Sequence, residues 1–138
     1  MALKICVYGS LRKGMGNHRI IEHATLLSKE IVALPFEMID MGSYPGLIRS
    51  KDINDIEVEV YEVDLSTYQR VERLEGYPSF YSREPIETSV GAGDIYFLDN
   101  DNGREYPRYP RVVKTADGVF DWVKYLKKSK ISKFDDNE

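Results

Sequence analysis

Short segments in which apolar and polar residues alternate constrain the fold of this chain more than any other feature. Residues 3–8 and 56–61 both show this alternation. A strand with one face on a core has a period of two, whereas a helix repeats its apolar face about every 3.6 residues. The chain therefore contains β-strands. They are predicted at residues 3–8, 30–39, 56–61, 86–90 and 95–98, with a break or bulge at Pro35 and a hairpin turn at residues 91–93.

Three segments with helical periodicity interrupt these strands. Apolar residues recur at helical spacing in residues 17–27, 66–75 and 119–126. Ser66 is the predicted N-cap of the second helix, because residues 66–69 read Ser-Thr-Tyr-Gln and fit a capping box. Asn17 and Asp117 are the predicted caps of the other two. About five strands and three helices in mixed order predict an α+β fold rather than a doubly wound parallel sheet.

The length and composition are those of one folded domain. A chain of 138 residues with 42% hydrophobic and 30% charged residues has room for a single core. Its last segment is rich in lysine and in acidic residues. We therefore predict one domain over residues 1–126, followed by a charged, disordered tail over residues 127–138.

Charge and hydropathy limit the kinds of partner. The formal net charge of −4 and the pI near 5.3 disfavour nucleic acid, whose binding relies on a basic patch. No apolar run approaches the roughly eighteen residues of a membrane span, and the first residues lack the features of a signal peptide. We expect a cytoplasmic protein with a small-molecule partner and no nucleic-acid or membrane partner. The sequence does not determine its oligomeric state.

The thiol and imidazole side chains give no sign of a metal or cofactor site. Cys6 is the single cysteine, and its place in a predicted strand favours a core residue over an activated thiolate. His18 and His23 are joined by no further Cys or His at a metal-ligand spacing, and both are predicted on a helix surface. No metal and no cofactor are predicted.

A glycine turn follows the first predicted strand. Residues 8–12 read Tyr-Gly-Ser-Leu-Arg, and consecutive N–H groups at Gly9 and Ser10 can form a nest for a carboxylate or a developing oxyanion. The glycine spacings of nucleotide-binding loops are absent. Taken alone, the segment is more typical of an ordinary turn at a strand end.

Glu75 is an acidic residue that the second predicted helix directs toward the core. On a helical wheel it lies within the apolar stripe of Val71 and Leu74, whereas Glu72 lies at the edge of that stripe. Burial and the negative end of the helix dipole raise the pKa of a carboxyl group at such a position, which makes it a better base. The alternative is that Glu75 accepts hydrogen bonds at the helix end or turns into solvent.

The usual protein nucleophiles have weak support in this sequence. Ser10 has no histidine base in a recognisable elbow, and Cys6 is a predicted core residue. A substrate that carries its own nucleophile needs only a base, an oxyanion site and a folded conformation. Such proximity lowers a barrier by roughly 7 to 11 kcal/mol. An intramolecular reaction therefore fits this inventory.

Four motifs occur together between residues 4 and 98. They are Tyr-Gly-Ser-Leu-Arg at 8–12, Tyr-Pro-Gly-Leu at 44–47, Glu-Val-Tyr-Glu-Val at 59–63, and Leu-Glu-Gly-Tyr-Pro at 74–78 followed by Tyr81 and Arg83. This combination resembles the gamma-glutamylcyclotransferase-like superfamily, and most closely its small gamma-glutamylamine cyclotransferase branch. The resemblance implies a compact mixed β-barrel flanked by helices, with no metal and no cofactor.

The resemblance also implies roles for six residues in one cavity. Glu75 would be the general acid/base that turns a γ-glutamyl amine or γ-glutamyl isopeptide into 5-oxoproline and a free amine. In that reaction the substrate's own α-amine attacks its γ-carbonyl group. The implied substrate-binding residues are Tyr8, Gly9, Ser10, Leu11 and Tyr81, with the backbone of residues 9–11 holding the glutamyl end.

Some points stay open beside this resemblance. Val58 stands where the family often has glycine, and Glu72 stands where it often has aspartate, which leaves barrel details and helix packing unsettled. Arg83 would either bind a substrate carboxylate or, as arginine's usual exposure favours, lie on the surface. The alternative function is a non-catalytic small-molecule binding module for γ-glutamyl or carboxylate ligands.

Overall fold

The computed structural model describes residues 3–99 and 109–135, which form strands and helices in mixed order. The strands are β1 (Leu3–Val7), β2 (Thr25–Asp40), β3 (Pro45–Val63), β4 (Tyr81–Thr88), β5 (Gly91–Leu98) and β6 (Val119–Phe120). A 3-10 helix covers His18–Ile21, and the α-helices are α1 (Leu65–Glu75) and α2 (Trp122–Asp135). The predicted α+β class is confirmed.

The described strands form one sheet in the order β2-β3-β1-β5-β4, and β6 pairs with β3. β2 and β3 make a long antiparallel hairpin, and β4 and β5 make a shorter one. β1 joins the two hairpins, because it runs antiparallel to β3 and parallel to β5. The loop that follows β1 therefore starts in the middle of the sheet, between the hairpins.

The implied β-barrel is corrected to a curled sheet that does not close. A barrel closes only when its outer strands hydrogen-bond to each other. In the described residues β4 pairs with β5 alone, and β2 pairs with β3 and, through one isolated bridge, with Arg111. Because β2 and β4 do not hydrogen-bond to each other, the two edges of the sheet stay separate.

Both faces of the central strands are buried. Ile5 of β1 belongs to an apolar cluster that includes Val71 of α1. Its neighbour Cys6 belongs to a second cluster that includes Trp122 at the start of α2. The alternation in β1 therefore separates two buried sets of side chains, since adjacent strand residues point to opposite faces.

The predicted helix over residues 17–27 is wrong. His18–Ile21 forms a 3-10 helix, and β2 begins at Thr25. The Asn17 side chain makes no cap bond and donates instead to Ser10 Oγ at 3.0 Å. From Thr25 onward the chain pairs with β3, so strand pairing overrides the apolar spacing that favoured a helix.

The N-cap of α1 is Asp64, so the predicted Ser66 cap is wrong. The Asp64 carboxylate accepts a hydrogen bond from the Thr67 N–H at 2.7 Å. A carboxylate caps a helix as well as a hydroxyl does and also interacts favourably with the helix dipole. Leu65 and Ser66 consequently belong to the first turn. The helix ends at Gly76 as predicted, with a left-handed φ of 64°.

Strands β2 to β5 are longer than predicted, β1 is one residue shorter, and their order along the chain is as predicted. β3 already begins at Pro45, and β4 begins at Tyr81. The turn between β4 and β5 lies at residues 89–90 rather than 91–93. A register shift between Leu34 and Phe36 confirms the predicted irregularity in β2.

The last helix begins at Trp122, and the predicted Asp117 cap is wrong. Asp121 Oδ1 accepts a hydrogen bond from the Lys124 N–H at 3.2 Å, as an N-cap does. Val119–Phe120, predicted as helix, forms β6 because it pairs in parallel with β3.

The described part of the C-terminal region differs from the predicted tail. α2 continues to Asp135, so the backbone is helical beyond residue 126. The division into a domain and a tail stays a prediction. Most of the predicted loop at residues 99–111 lies outside the described residues. Within the described ranges, no helix is both long enough and apolar enough to span a membrane.

Candidate active site

A cavity of about 330 Å³ opens between the loop after β1 and the C-terminal end of α1. All six predicted site residues line it, namely Tyr8, Gly9, Ser10, Leu11, Glu75 and Tyr81. They come from three parts of the chain, because the β1 loop, the end of α1 and the start of β4 meet at one end of the central strands. The structure thus brings the predicted set together, while the roles of its members stay predictions.

Glu75 is the last residue of α1, lines the cavity and is half-buried. Burial raises the pKa of its carboxyl group from 4.5 to about 7. Among the described residues, no hydrogen bond or ion pair engages this carboxyl group. The alternative in which Glu75 serves as a hydrogen-bond acceptor at the helix end therefore finds no partner there. A carboxyl group that titrates near neutral pH suits proton transfer.

In the loop after β1, the backbone carbonyl groups accept hydrogen bonds from other residues of the chain. The Gly9 carbonyl accepts from the Arg12 N–H at 3.0 Å, which closes a turn. The Ser10 carbonyl accepts from the Asn17 N–H at 2.9 Å. In a trans peptide the N–H points away from the preceding carbonyl, so the N–H groups of Ser10 and Leu11 point away from these partners. Within residues 3–99 and 109–135 they donate to no protein acceptor, which leaves them available to a ligand oxygen.

Gly9 is required by the close approach of Pro45. A Cβ atom at position 9 would lie 2.6 Å from Pro45 Cγ and 2.7 Å from Pro45 Cδ. Any larger residue would therefore push apart the loop and the start of β3. Pro45 also accepts a hydrogen bond from the Tyr81 hydroxyl at 2.9 Å. The Tyr-Pro-Gly-Leu motif thus connects the loop to β4.

Tyr8 and Tyr81 line the cavity with hydroxyl groups that already donate to backbone carbonyls. The Tyr8 hydroxyl donates to the Tyr96 carbonyl at 2.7 Å, and both tyrosine side chains are buried. Burial raises the pKa of Tyr8 well above its usual value. The rings therefore shape the cavity wall, and the hydroxyl protons are committed to the protein.

The family follows from comparison with known proteins. The family model described as gamma-glutamyl cyclotransferase, AIG2-like matches residues 5–122. The chain belongs to this family. The predicted superfamily is therefore confirmed, and the chain is an enzyme of the gamma-glutamylcyclotransferase type. Its assignment to the gamma-glutamylamine branch stays a prediction.

Individual relatives agree with the family in sequence and in fold. A Vibrio cholerae protein named after gamma-glutamylcyclotransferase is 37% identical over 92 residues, which cover 67% of this chain and 78% of that protein. The gamma-L-glutamyl-butirosin B gamma-glutamyl cyclotransferase of Niallia circulans is 39% identical over 72 residues, covering 51% and 44%. The crystal structure of PH0828 from Pyrococcus horikoshii superposes with a TM-score of 0.69 at 25% identity, covering 92% and 97%.

Two residues that hold the loop of this cyclotransferase-family chain are missed by the sequence analysis. Asn17 Nδ2 donates to Ser10 Oγ at 3.0 Å, and His18 Nδ1 lies 2.9 Å from the Leu11 carbonyl oxygen. His18 is therefore half-buried, contrary to its predicted surface position, whereas His23 is exposed as predicted. The only regularity that the sequence offers for these two contacts is their spacing, since each joins residues seven apart.

Much of the cavity wall consists of residues for which the sequence predicts no role. The further lining residues include Asn17, Ser43, Tyr44, Leu74, Phe80 and Tyr96. Leu74 was placed in the buried stripe of α1 and is 40% exposed, because it lies at the open side of the cavity. The Phe80 ring meets the Tyr81 ring edge to face, with centroids 4.9 Å apart. Aromatic rings therefore supply much of the wall.

Arg83 and Glu72 form an ion pair outside the cavity. Arg83 Nη2 lies 2.9 Å from Glu72 Oε1, and the guanidinium lies 4.3 Å from the centroid of the Tyr77 ring. Arg83 is half-buried and does not line the cavity. It is therefore neither a ligand of a substrate carboxylate in this cavity nor a free surface arginine. The pair ties the last turn of α1 to β4 and so supports the position of Glu75.

Cys6 lies at the inner side of the cavity and remains a core residue, as predicted. It is 1% exposed. Burial, reinforced by the charges of Glu30 and Asp94, raises the pKa of its thiol to about 12. The thiolate, which is the nucleophilic form, is therefore disfavoured near neutral pH.

Proposed function

We propose that this chain converts a γ-glutamyl amine or γ-glutamyl isopeptide to 5-oxoproline and a free amine. The observation that carries the proposal is that one cavity holds the desolvated Glu75 carboxyl group and the available N–H groups of Ser10 and Leu11. A group that moves protons and groups that hold an oxygen are what ring closure within one substrate requires.

The proposed reaction is an intramolecular acyl transfer. The nitrogen of the neutral α-amine attacks the γ-carbonyl carbon, and Glu75 takes the proton that this nitrogen gives up as the bond forms. The new C–N bond closes a five-membered ring, and negative charge develops on the carbonyl oxygen. The bond to the leaving amine then breaks as Glu75 returns the proton to the leaving nitrogen. Protons and electrons balance without a protein nucleophile or a cofactor.

The other cavity residues bind and orient the substrate in this scheme. The backbone N–H groups of residues 9–11 hold the glutamyl end without a cationic side chain. Tyr8 and Tyr81 form rigid walls, because their hydroxyl groups are fixed to backbone carbonyls. A cavity of about 330 Å³ lies at the small end of ligand sites, which suits a single γ-glutamyl group.

The decisive test is release of 5-oxoproline by the wild type and by Glu75→Gln. The substitution is nearly isosteric but removes the base, so we expect the variant to fold and to lose activity by at least about a hundredfold. Glu62→Gln is the matched control, because Glu62 is exposed on β3 and does not line the cavity. Full activity of Glu75→Gln would refute the mechanism.

The same assay separates the proposal from its rival. The substrates are γ-glutamyl compounds that differ only in their amine, with a γ-glutamyl-ε-lysine isopeptide among them. γ-L-Glutamyl-butirosin B belongs in the panel because the Niallia circulans relative is named for it. Binding of panel members without any turnover would point to a non-catalytic binding module.

The proposed location of the protein in the cell is the cytoplasm, which cell fractionation would test.

A further inference from the structure

We propose that Arg12 is a positioning residue that holds the cavity loop through a buried ion bridge. This inference rests on the proposed function, because it concerns the N–H groups that would hold the glutamyl end of the substrate. Arg12 directly follows the Gly9-Ser10-Leu11 segment and is 2% exposed. It does not line the cavity, so it acts through the loop and not on the substrate.

The Arg12 guanidinium bridges two carboxylates from distant parts of the chain. Its Nε lies 2.8 Å from Oε2 of Glu59, which stands near the C-terminal end of β3. Its Nη1 lies 3.0 Å from Asp121 Oδ1, at the N-terminus of α2. Both acids are buried, with 4% and 5% of their surface exposed. One side chain therefore joins the loop to the sheet and to the C-terminal helix.

Glu59 also holds the backbone of the loop itself. Its second oxygen, Oε1, accepts from the Lys13 N–H at 2.9 Å and from the Tyr61 hydroxyl at 2.8 Å. Burial by itself would raise the pKa of Glu59, but these hydrogen bonds and the Arg12 charge keep it below its usual value. The carboxylate stays ionised at neutral pH and binds the loop at two consecutive residues, Arg12 and Lys13.

The ion bridge also influences the peptide groups that line the cavity. The Arg12 N–H donates to the Gly9 carbonyl, so the position of Arg12 sets the plane of the peptide between Gly9 and Ser10. That plane carries the Ser10 N–H, which is directed away from the carbonyl. Fixing Arg12 therefore fixes the direction of an N–H group that the substrate would use.

The energetics of burial point to a positional role more than to stability. Removing an arginine and two carboxylates from water costs free energy that their attraction often fails to recover, and apolar replacements are often as stable. A bridge with defined geometry, however, restricts the loop to one conformation. Arginine suits this task because its planar guanidinium offers donors in fixed directions, whereas the donors of an ammonium group rotate.

The test compares two altered bridges with a matched surface pair. The first variant is Arg12→Met/Glu59→Gln/Asp121→Asn, which removes the bridge without leaving a buried charge unpaired. The second is Arg12→Lys, which keeps the charge. The control is Arg49→Met, since Arg49 pairs with Glu84 on the surface away from the cavity. The measurements are KM and kcat for a γ-glutamyl amine, the amide NMR signals of Ser10 and Leu11, and the unfolding midpoint.

We expect the triple variant to unfold cooperatively and to raise KM about tenfold, as for misplaced hydrogen bonds to a charged group. Its Ser10 and Leu11 amide signals should shift, Arg12→Lys should give an intermediate KM, and Arg49→Met should match the wild type. Lost stability alone would lower only the fraction of active protein, which reduces the apparent kcat and leaves KM unchanged. The KM rise therefore separates positioning from a merely structural role.

A folded triple variant with wild-type KM and unmoved amide signals would overturn the inference. If that variant fails to unfold cooperatively, Arg12→Lys decides by the same two measurements. If the wild type releases no 5-oxoproline, the proposed function fails, and the amide signals still decide whether the bridge holds the loop.

Discussion

The Glu75 carboxyl group combines three properties at the scale of a single residue. It is partly removed from water, it has no hydrogen-bond or ion-pair partner among the described residues, and it shares its cavity with Ser10 and Leu11, whose N–H groups lack acceptors there. Its pKa of about 7 has burial as its cause, so the neutral form is favoured up to that pH. A base of this kind is half ionised near neutral pH and can both accept and return a proton.

We predict that the acid side of the pH profile follows this pKa. Glu75 must be ionised to accept a proton, so kcat/KM should fall about tenfold for each pH unit below about pH 6. Initial rates of 5-oxoproline release would show it, with the substrate amine titrated separately so that its ionisation can be subtracted. Glu62→Gln should keep the same profile. An acid limb centred near 4.5, the ordinary glutamate value, would contradict the raised pKa.

The residues that surround Glu75 differ in how far the sequence alone reveals them. Glu75 and the Gly9 loop are recognisable because their features are local: a helical wheel and a strand followed by a glycine turn. Arg12 looks like a surface cation in the sequence, since its partner Asp121 lies 109 residues away. Such a bridge is visible only after the chain has folded.

At the scale of elements, α1 is the part of the fold that places the base. Asp64 caps its first turn, and the left-handed Gly76 ends it directly after Glu75. The Ser66 capping box is wrong because an equally good acceptor stands two residues earlier. The helix predicted over residues 17–27 fails for another reason: the last three residues of that segment belong to β2, and its pairing with β3 is a long-range contact.

We predict that the cap of α1 can be identified by substitution. Asp64→Ala removes the acceptor for the Thr67 N–H and should lower the free energy of unfolding by about 1 kcal/mol. Ser66→Ala, inside the first turn, is the matched control and should change it by only a few tenths of that amount. Urea unfolding followed by circular dichroism would measure both. A larger loss for Ser66→Ala than for Asp64→Ala would contradict the structural assignment.

At the scale of the whole molecule, the alternating segments are sufficient to predict a strand-rich α+β chain, but not how the sheet ends. Closure depends on which strands pair at its edges, and pairing between distant strands leaves no local pattern. The same limit applies to Val119 and Phe120, which the apolar spacing assigned to a helix and which instead pair with β3. The ends of the helices and the edges of the sheet are therefore the least predictable parts of this fold.

The C-terminal segment completes one face of the core, which predicts how the chain tolerates truncation. Trp122 is fully buried, Phe120 is 4% exposed, and the Tyr125 hydroxyl donates to Asp40 Oδ2 at 2.7 Å. Losing a buried aromatic side chain costs about 3–5 kcal/mol, a large part of a domain's typical stability. A chain ending at residue 118 should therefore lose cooperative unfolding, whereas one ending at residue 126 should keep it and still release 5-oxoproline. Thermal unfolding by circular dichroism would distinguish them, and a cooperative transition at the full-length midpoint in the shorter chain would show that this segment is dispensable.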